Sequence, residues 1–283
     1  MISGKTQICG LIGDPVEHTM SPAMHNAAFQ EMRLDYVYLP FNVKSEELGR
    51  AIQGMRALNL KGLNVTIPHK VAVLPLLDSL DPLAEKIGAV NTIVNNDGIL
   101  TGYNTDATGF LQPLLEKSIE LKDKNIAILG AGGASRAVSF ILADKGANLV
   151  ILNRLEELEW AEALADRISV SFNINVEPRE LTRETLGRVI EKTAILVNAT
   201  SVGMSPDIKK TPVSADLLRS DLIVYDIIYN PIKTRLLIEA EAAGAEILGG
   251  IDMLVWQGVL AFEKWTGLRP PIKLMKEKAI ELL

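Results

Sequence analysis

The sequence predicts an α/β protein of two domains, each built on a largely parallel sheet. Three observations carry that expectation. Short apolar runs alternate with longer amphipathic ones over most of the chain, the mark of strands and helices in turn. One buried apolar run leads straight into the glycine-rich loop Gly130-Ala131-Gly132-Gly133-Ala134, and a helix follows. The chain of 283 residues is also long for a single hydrophobic core.

In the first hundred residues, strands are expected at Gln7–Ile12, Tyr36–Phe41, Gly62–Val65 and Val90–Val94, with helices beginning near Ser21, Ser45 and Leu83. Asn96-Asp97-Gly98 is a tight-turn signal that joins Val90–Val94 to Ile99–Tyr103 as a hairpin, so part of the first sheet is antiparallel. Asp106–Ser118 reads as a connecting helix. The second unit begins near Lys122. It holds a strand at Asn125–Leu129, a helix at Ala134–Lys145 stopped by Gly146, and strands at Asn148–Leu152, Ala194–Val197, Leu222–Asp226 and Glu246–Leu248. This is a doubly wound sheet of nucleotide-binding type. The chain closes with two helices, Met253–Trp265 and Pro271–Leu283, expected to cross back onto the first domain. The domains are therefore expected at 1–105 plus 250–283 and at 106–249.

Composition excludes several classes. A net charge of -6 with no basic run gives no electrostatic footprint for nucleic acid. No apolar stretch approaches the ~20 residues that span a bilayer, and no charged leader precedes a signal-type segment, so a cytoplasmic protein without a membrane anchor is expected. Cys9 is the single cysteine, which rules out an intrachain disulfide, and its apolar setting reads as a buried, inert thiol. The three histidines, at 18, 25 and 69, show no metal spacing, and no metal is expected.

The glycine loop sits where a dinucleotide fingerprint belongs, between a strand and a helix. Gly130 permits the tight turn, Gly132 lets backbone approach a pyrophosphate, and the helix N-terminus offers free N–H groups to phosphate. The third fingerprint position holds Ser135 instead of glycine or alanine. The next strand ends in Asn153-Arg154, where an NAD enzyme places a carboxylate on the ribose. A guanidinium there grips a 2′-phosphate instead, which favours NADP, although Glu156 and Glu157 oppose a phosphate if they face it.

Four segments of the first domain are polar where a core does not need polarity. In His18-Thr19-Met20-Ser21-Pro22, Ser21 suits a helix N-cap with Pro22 in the first helical position, and the two hydroxyls also suit a carboxylate. In Asn64-Val65-Thr66-Ile67-Pro68-His69-Lys70, alternation puts Asn64 and Thr66 on one face, and Lys70 follows the strand's carboxyl end, where open α/β sheets bind ligands. Taken alone, Lys70 also suits a surface position on the next helix. The others are Gly88-Ala89-Val90-Asn91-Thr92 and Gly102-Tyr103-Asn104-Thr105-Asp106, where Asp106 also suits a helix cap.

Together with Asn198-Ala199-Thr200-Ser201-Val202-Gly203-Met204, Asp226-Ile227-Ile228-Tyr229-Asn230-Pro231 and Gly250-Ile251-Asp252-Met253-Leu254-Val255-Trp256-Gln257-Gly258, these segments resemble the shikimate dehydrogenase family over nearly the whole chain. The resemblance implies a substrate domain, a Rossmann-like NADP domain and a cleft between them. It implies NADPH-dependent reduction of 3-dehydroshikimate to shikimate, with Lys70 and Asp106 as the catalytic pair. Thr19 and Ser21 fall where the family holds the substrate carboxylate, and Thr66, Asn91, Tyr229 and Gln257 fall among its other substrate contacts. Gly130, Ala131, Gly132, Gly133, Ala134, Asn153, Arg154, Ile227 and Gly250 fall where it holds the cofactor.

Two departures stand out: Thr19 replaces the family's usual serine, and Leu155 replaces the usual threonine after the Asn-Arg pair, which removes one hydroxyl contact to the 2′-phosphate. An NAD-linked quinate/shikimate dehydrogenase is the alternative reading; Arg154 and the added methyl of Thr19 argue against it. The partner expected is a small molecule, and a homodimer through the first domain is left open.

Overall fold

The structure is a computed structural model and describes residues 2–283. In chain order the elements are β1 Gln7–Gly13, α1 Ser21–Glu31, β2 Tyr36–Asn42, α2 Leu48–Ala57, β3 Gly62–Val65, α3 His69–Ala72, β4 Ser79–Leu80, α4 Pro82–Ile87, β5 Thr92–Asn96, β6 Ile99–Tyr103 and α5 Thr105–Glu116. There follow β7 Asn125–Leu129, α6 Gly133–Asp144, β8 Asn148–Asn153, α7 Leu158–Phe172, β9 Glu177–Glu180, α8 Arg183–Ile190 and β10 Ile195–Asn198. The chain ends with β11 Ile223–Asp226, α9 Arg235–Ala242, β12 Glu246–Gly249, α10 Gly250–Thr266 and α11 Ile272–Ile280. It divides into two compact units, one of Met1–Gly109 with Val255–Leu282 and one of Phe110–Leu254 with Leu283.

The first unit holds a mixed sheet in the order β2-β1-β3-β5-β6-β4. β1 runs parallel to β2 and β3, whereas β5 is antiparallel to both β3 and β6. The β5–β6 hairpin turns on Asp97 and Gly98, both at positive φ, as an Asp-Gly pair allows. The core on one side includes Ile12, Met55, Leu63, Val90, Ile93 and Leu100. On α10 the buried Trp265 indole donates to the Ile93 carbonyl at 3.0 Å. It lies directly over Gly62, where any Cβ would fall 2.0 Å from Trp265 Nε1. Cys9 is fully buried on β1, and burial pushes its thiol far above the usual range.

The second unit is an all-parallel sheet in the order β12-β11-β10-β7-β8-β9. The chain winds outward from β7 in one direction and from β10 in the other, so the topological switch lies between these two strands. Its core gathers Ala127, Leu129, Leu152, Leu196, Val224 and Leu237. α6 ends where Gly146 enters the left-handed region at φ 79°.

One boundary and two capping roles differ from expectation, for identifiable reasons. β5 begins two residues later than the apolar run because the Val90 N–H is spent on the Lys70 carbonyl at 2.8 Å. Ser21 is not the N-cap of α1: Met20 takes that position with near-helical φ and ψ, and no side chain caps the helix. The Ser21 N–H instead meets the Thr19 hydroxyl at 3.3 Å. Asp106 does not cap α5 either. The Asn104 side chain accepts from the Ala107 N–H at 3.1 Å, and the Asp106 carboxylate turns to side-chain donors instead.

Candidate active site

The first unit brings Lys70, Asn91 and Asp106 together from three elements. Lys70 lies on the short helix α3, just beyond the carboxyl end of β3. Asn91 precedes β5, and Asp106 lies in the first turn of α5. Lys70 Nζ donates to Asp106 Oδ2 at 2.6 Å. Asn91 Nδ2 donates to the other carboxylate oxygen, Asp106 Oδ1, at 2.8 Å. The side chains are partly open, 26% for Lys70 and 14% for Asp106, so a small molecule can reach both. A charge-assisted pair of this length is strong enough to hold both groups in one geometry.

Thr66 lies just past β3, its N–H on the Ile12 carbonyl at 3.0 Å and its methyl over Gly13. Ser21 is buried at the start of α1, with Thr19 beside it. Gln257 lies on α10, whose backbone there runs against Gly109, one turn after Asp106 on α5. Tyr229 belongs to the second unit and is 38% exposed.

A second layer of polar groups stands behind Asn91 and Asp106, and the sequence reading did not give it a role. Tyr38, Asn64, Thr92 and Thr105 are all buried. Thr105 donates its N–H to Asn91 Oδ1 at 2.7 Å, and Tyr38 donates its phenol to Asn64 Oδ1 at 2.7 Å. Burial raises the Tyr38 phenol well above its ordinary range, with Ser21 acting in the opposite sense. The signal in the sequence was polarity on a strand with no solvent face, at Asn64 and Thr92.

In the second unit the glycine loop leaves β7 at the switch point. Gly130 has φ 95°, and a Cβ there would meet the Ala199 carbonyl oxygen at 3.0 Å, so the turn needs glycine. No side chain caps α6, and Gly132 and Gly133 are exposed, with nothing within 4 Å of where a Cβ would stand. Ser135 is no misfit, since its buried hydroxyl donates to the Gly130 carbonyl at 2.6 Å and fixes the loop. Free N–H groups, open space and a helix N-terminus suit a pyrophosphate.

Asn153 is buried at the end of β8, its amide donating to the Glu157 carbonyl at 2.7 Å. The Arg154 guanidinium, 66% exposed, pairs with the Glu157 carboxylate and holds that carboxyl below its usual range. Ile227 and Gly250 are adjacent, since a Cβ at Gly250 would fall 2.1 Å from the Ile227 carbonyl oxygen. Asp226, also outside the sequence-predicted set, shapes that loop. Its fully buried carboxylate accepts from Thr234 Oγ1 at 2.6 Å and from Ile228 N and Asn198 Nδ2 at 3.1 Å each, and burial raises its pKa.

Among the described residues no group of three or more metal-ligating side chains occurs, and no helix is long and apolar enough to cross a membrane.

The chain matches two family models, the shikimate dehydrogenase substrate binding domain over residues 11–93 and the shikimate 5'-dehydrogenase C-terminal domain over residues 250–280. It is 48% identical to the shikimate dehydrogenase (NADP(+)) of Methanopyrus kandleri, covering 100% of this chain and 98% of that protein. Its fold matches a shikimate dehydrogenase solved in complex with NADP+, with a TM-score of 0.92 and 45% identity over 99% of this chain and 97% of the other. It also matches the shikimate 5-dehydrogenase of Listeria monocytogenes solved with shikimate and NAD, with a TM-score of 0.93 and 43% identity over 98% and 97%. With relatives of this identity along its full length, the chain belongs to the shikimate dehydrogenase family.

Proposed function

We propose that the protein catalyses the reversible NADPH-dependent reduction of 3-dehydroshikimate to shikimate, a step of aromatic amino-acid biosynthesis. The observation that carries this is the Lys70–Asp106 pair at 2.6 Å, buttressed by Asn91, in a chain 48% identical to an NADP-dependent shikimate dehydrogenase. The first unit is the substrate-binding half and the second the cofactor-binding half. NADPH supplies the hydride when bound. The residues that would hold it are Gly130–Ala134 at its pyrophosphate, Asn153 and Arg154 at its 2′-phosphate ribose, and Ile227 and Gly250.

The protein's own part is proton transfer and orientation. Lys70 is an ammonium that donates hydrogen bonds and cannot accept them. Beside the substrate carbonyl it polarises the oxygen and delivers the proton as the alkoxide forms. Asp106 holds Lys70 by one oxygen and accepts from Asn91 by the other, so the ammonium keeps one direction. In the oxidative direction the step runs backward: the neutral amine left after that transfer takes up the hydroxyl proton and becomes the ammonium again. Thr19 and Ser21 hold the substrate carboxylate through hydroxyls and the start of α1; Thr66, Asn91, Tyr229 and Gln257 bind its other oxygens. The cytoplasm is the proposed compartment. The NAD-linked quinate alternative is not favoured, because the curated relatives at 45–48% identity are named for NADP.

The test is shikimate-dependent reduction of NADP, beside NAD and beside quinate, followed by nicotinamide absorbance. Strong turnover is expected only with shikimate and NADP, and turnover mainly with quinate or NAD would overturn the reading. Lys70→Ala and Asp106→Asn should each lower kcat by about 10²–10⁴-fold, the range of a lost acid–base group. Near-native turnover in either would remove that residue from the chemistry.

A further inference from the structure

The buried polar layer behind the proposed reacting pair is oriented link by link. The Asn91 carbonyl can only accept, so the amide nitrogen of Asn64 must face it, at 3.2 Å. Asn64 Oδ1 is then turned to the Tyr38 phenol, which donates at 2.7 Å. The second proton of Asn64 Nδ2 goes to Thr92 Oγ1 at 3.1 Å. With that lone pair taken, the Thr92 hydroxyl proton has two places to go, Asn91 Oδ1 at 3.2 Å and Thr105 Oγ1 at 3.1 Å. Asn91 Oδ1 also accepts the Thr105 N–H at 2.7 Å, so the Asn91 amide nitrogen can only face Asp106 Oδ1 and Thr105 Oγ1. Asp106 Oδ2 is left for Lys70.

Thr92 is the hub of this layer. Its single hydroxyl joins the Asn64 side, anchored on Tyr38, to the Asn91–Thr105 side that touches Asp106. It is fully buried, so it touches neither substrate nor cofactor. A valine would fill the same volume and break three contacts at once, leaving one Asn64 proton without a side-chain acceptor. Asn91 Oδ1 would keep the Thr105 N–H at 2.7 Å and the Thr105 hydroxyl at 3.1 Å but lose the Thr92 hydroxyl, the contact that ties it to the Asn64 side. Asp106 would then be held by a looser amide, and Lys70 by a looser carboxylate.

We infer that Thr92 is a positioning residue for the reaction, fixing the Asn91 amide and through it the direction of the Lys70–Asp106 pair. The assignment rests on the reading of Lys70 and Asp106 as the reacting groups. It also implies selective demand on the hydroxyl itself rather than on a side chain of this size: serine keeps the hub and valine keeps the volume.

The experiment compares Thr92→Val and Thr92→Ser in the full chain, with kcat, the KM for shikimate, the pH profile of kcat and thermal midpoints in each. Thr92→Val is expected to lower kcat about 10–100-fold, the scale of a modest misplacement of reacting groups, with a folded protein and a KM for NADP within about three-fold of wild type. Thr92→Ser is expected to stay within about three-fold of wild type throughout. In an Asp106→Asn background, measured by single turnover, the Thr92→Val effect should shrink to under about three-fold, because the residue acts through that carboxylate. If Thr92→Val does not fold, Thr92→Ala carries the same comparison. The inference is overturned if the folded valine variant keeps wild-type kcat. It is equally overturned if serine loses as much as valine, or if the loss is undiminished without the Asp106 carboxylate. Wild-type turnover in Asp106→Asn alone would instead sink the reading of the reacting pair, so the two failures are told apart.

Discussion

Arg154 holds Glu157 in this structure, and on the proposed reading of Arg154 as the 2′-phosphate contact that pairing sets how cofactor choice responds to substitution. Arg154 is exposed and Glu157 partly so, and a 2′-phosphate can compete with the carboxylate for the guanidinium at little cost to the fold. Arg154→Ala should weaken NADP about 10–100-fold and leave NAD nearly unchanged, the value of one charge-assisted hydrogen-bonded contact. Glu157→Gln should do the reverse and tighten NADP by about two- to five-fold at low salt, with the gain fading as salt rises. Titrating both cofactors against each variant checks the pair. If Arg154→Ala weakens NAD as much as NADP, Arg154 does not read the phosphate. Leu155 stands 63% exposed beside this pair, where a threonine hydroxyl would have added a donor.

At the scale of elements, the strand–loop–helix unit β7–α6 is under tighter steric control than any single side chain reveals. Gly130→Ala forces a Cβ into a left-handed residue and toward the Ala199 carbonyl, and should cost about 1–2 kcal/mol of stability. The thermal shift on adding NADP should shrink in the same variant, since the loop that presents the N–H groups has moved; an unchanged shift would separate the loop from binding. The elements themselves were largely legible in the sequence where apolar runs are buried on both faces, as at Asn125–Leu129, which is a strand with no change of boundary. β4 and β9 were not legible. They are edge strands of two and four residues, and Glu177-Pro178-Arg179-Glu180 has no apolar face to betray it.

The same contrast divides the site. Lys70, Asn91 and Asp106 stood out as polar groups near strand ends, whereas their roles came from resemblance. The caps were misplaced because α1 takes Met20 at its N-cap with no side-chain cap, and because Asn104, two residues before Asp106, accepts the Ala107 N–H at the start of α5. Thr92 was hidden because a β-branched residue in a strand looks ordinary until its hydroxyl is seen to have three partners.

At the scale of the whole molecule, His25 is expected to lower acid tolerance. It is fully buried among Phe29, Tyr38, Phe262 and Trp265, stacked on Tyr38 at 4.5 Å, and neither ring nitrogen has a partner. Burial lowers its pKa from 6.5 to about 3. The folded state therefore keeps His25 neutral while the unfolded chain takes up a proton below 6.5. The sign follows: stability is unaffected above 6.5, and falls as pH drops from there toward 3, by up to about 1.4 kcal/mol per pH unit. His25→Phe should flatten that slope in denaturant titrations between those limits; an unchanged slope would place the acid sensitivity elsewhere.

Cys9 adds a different consequence. It is the chain's lone thiol, and it is sealed within β1 between β2 and β3. A thiol-reactive dye therefore finds no target until that strand parts from its neighbours. Its labelling rate is a built-in clock for opening of the substrate-binding half, needing no engineered reporter, and ligands that clamp this half should slow the clock in proportion to their occupancy.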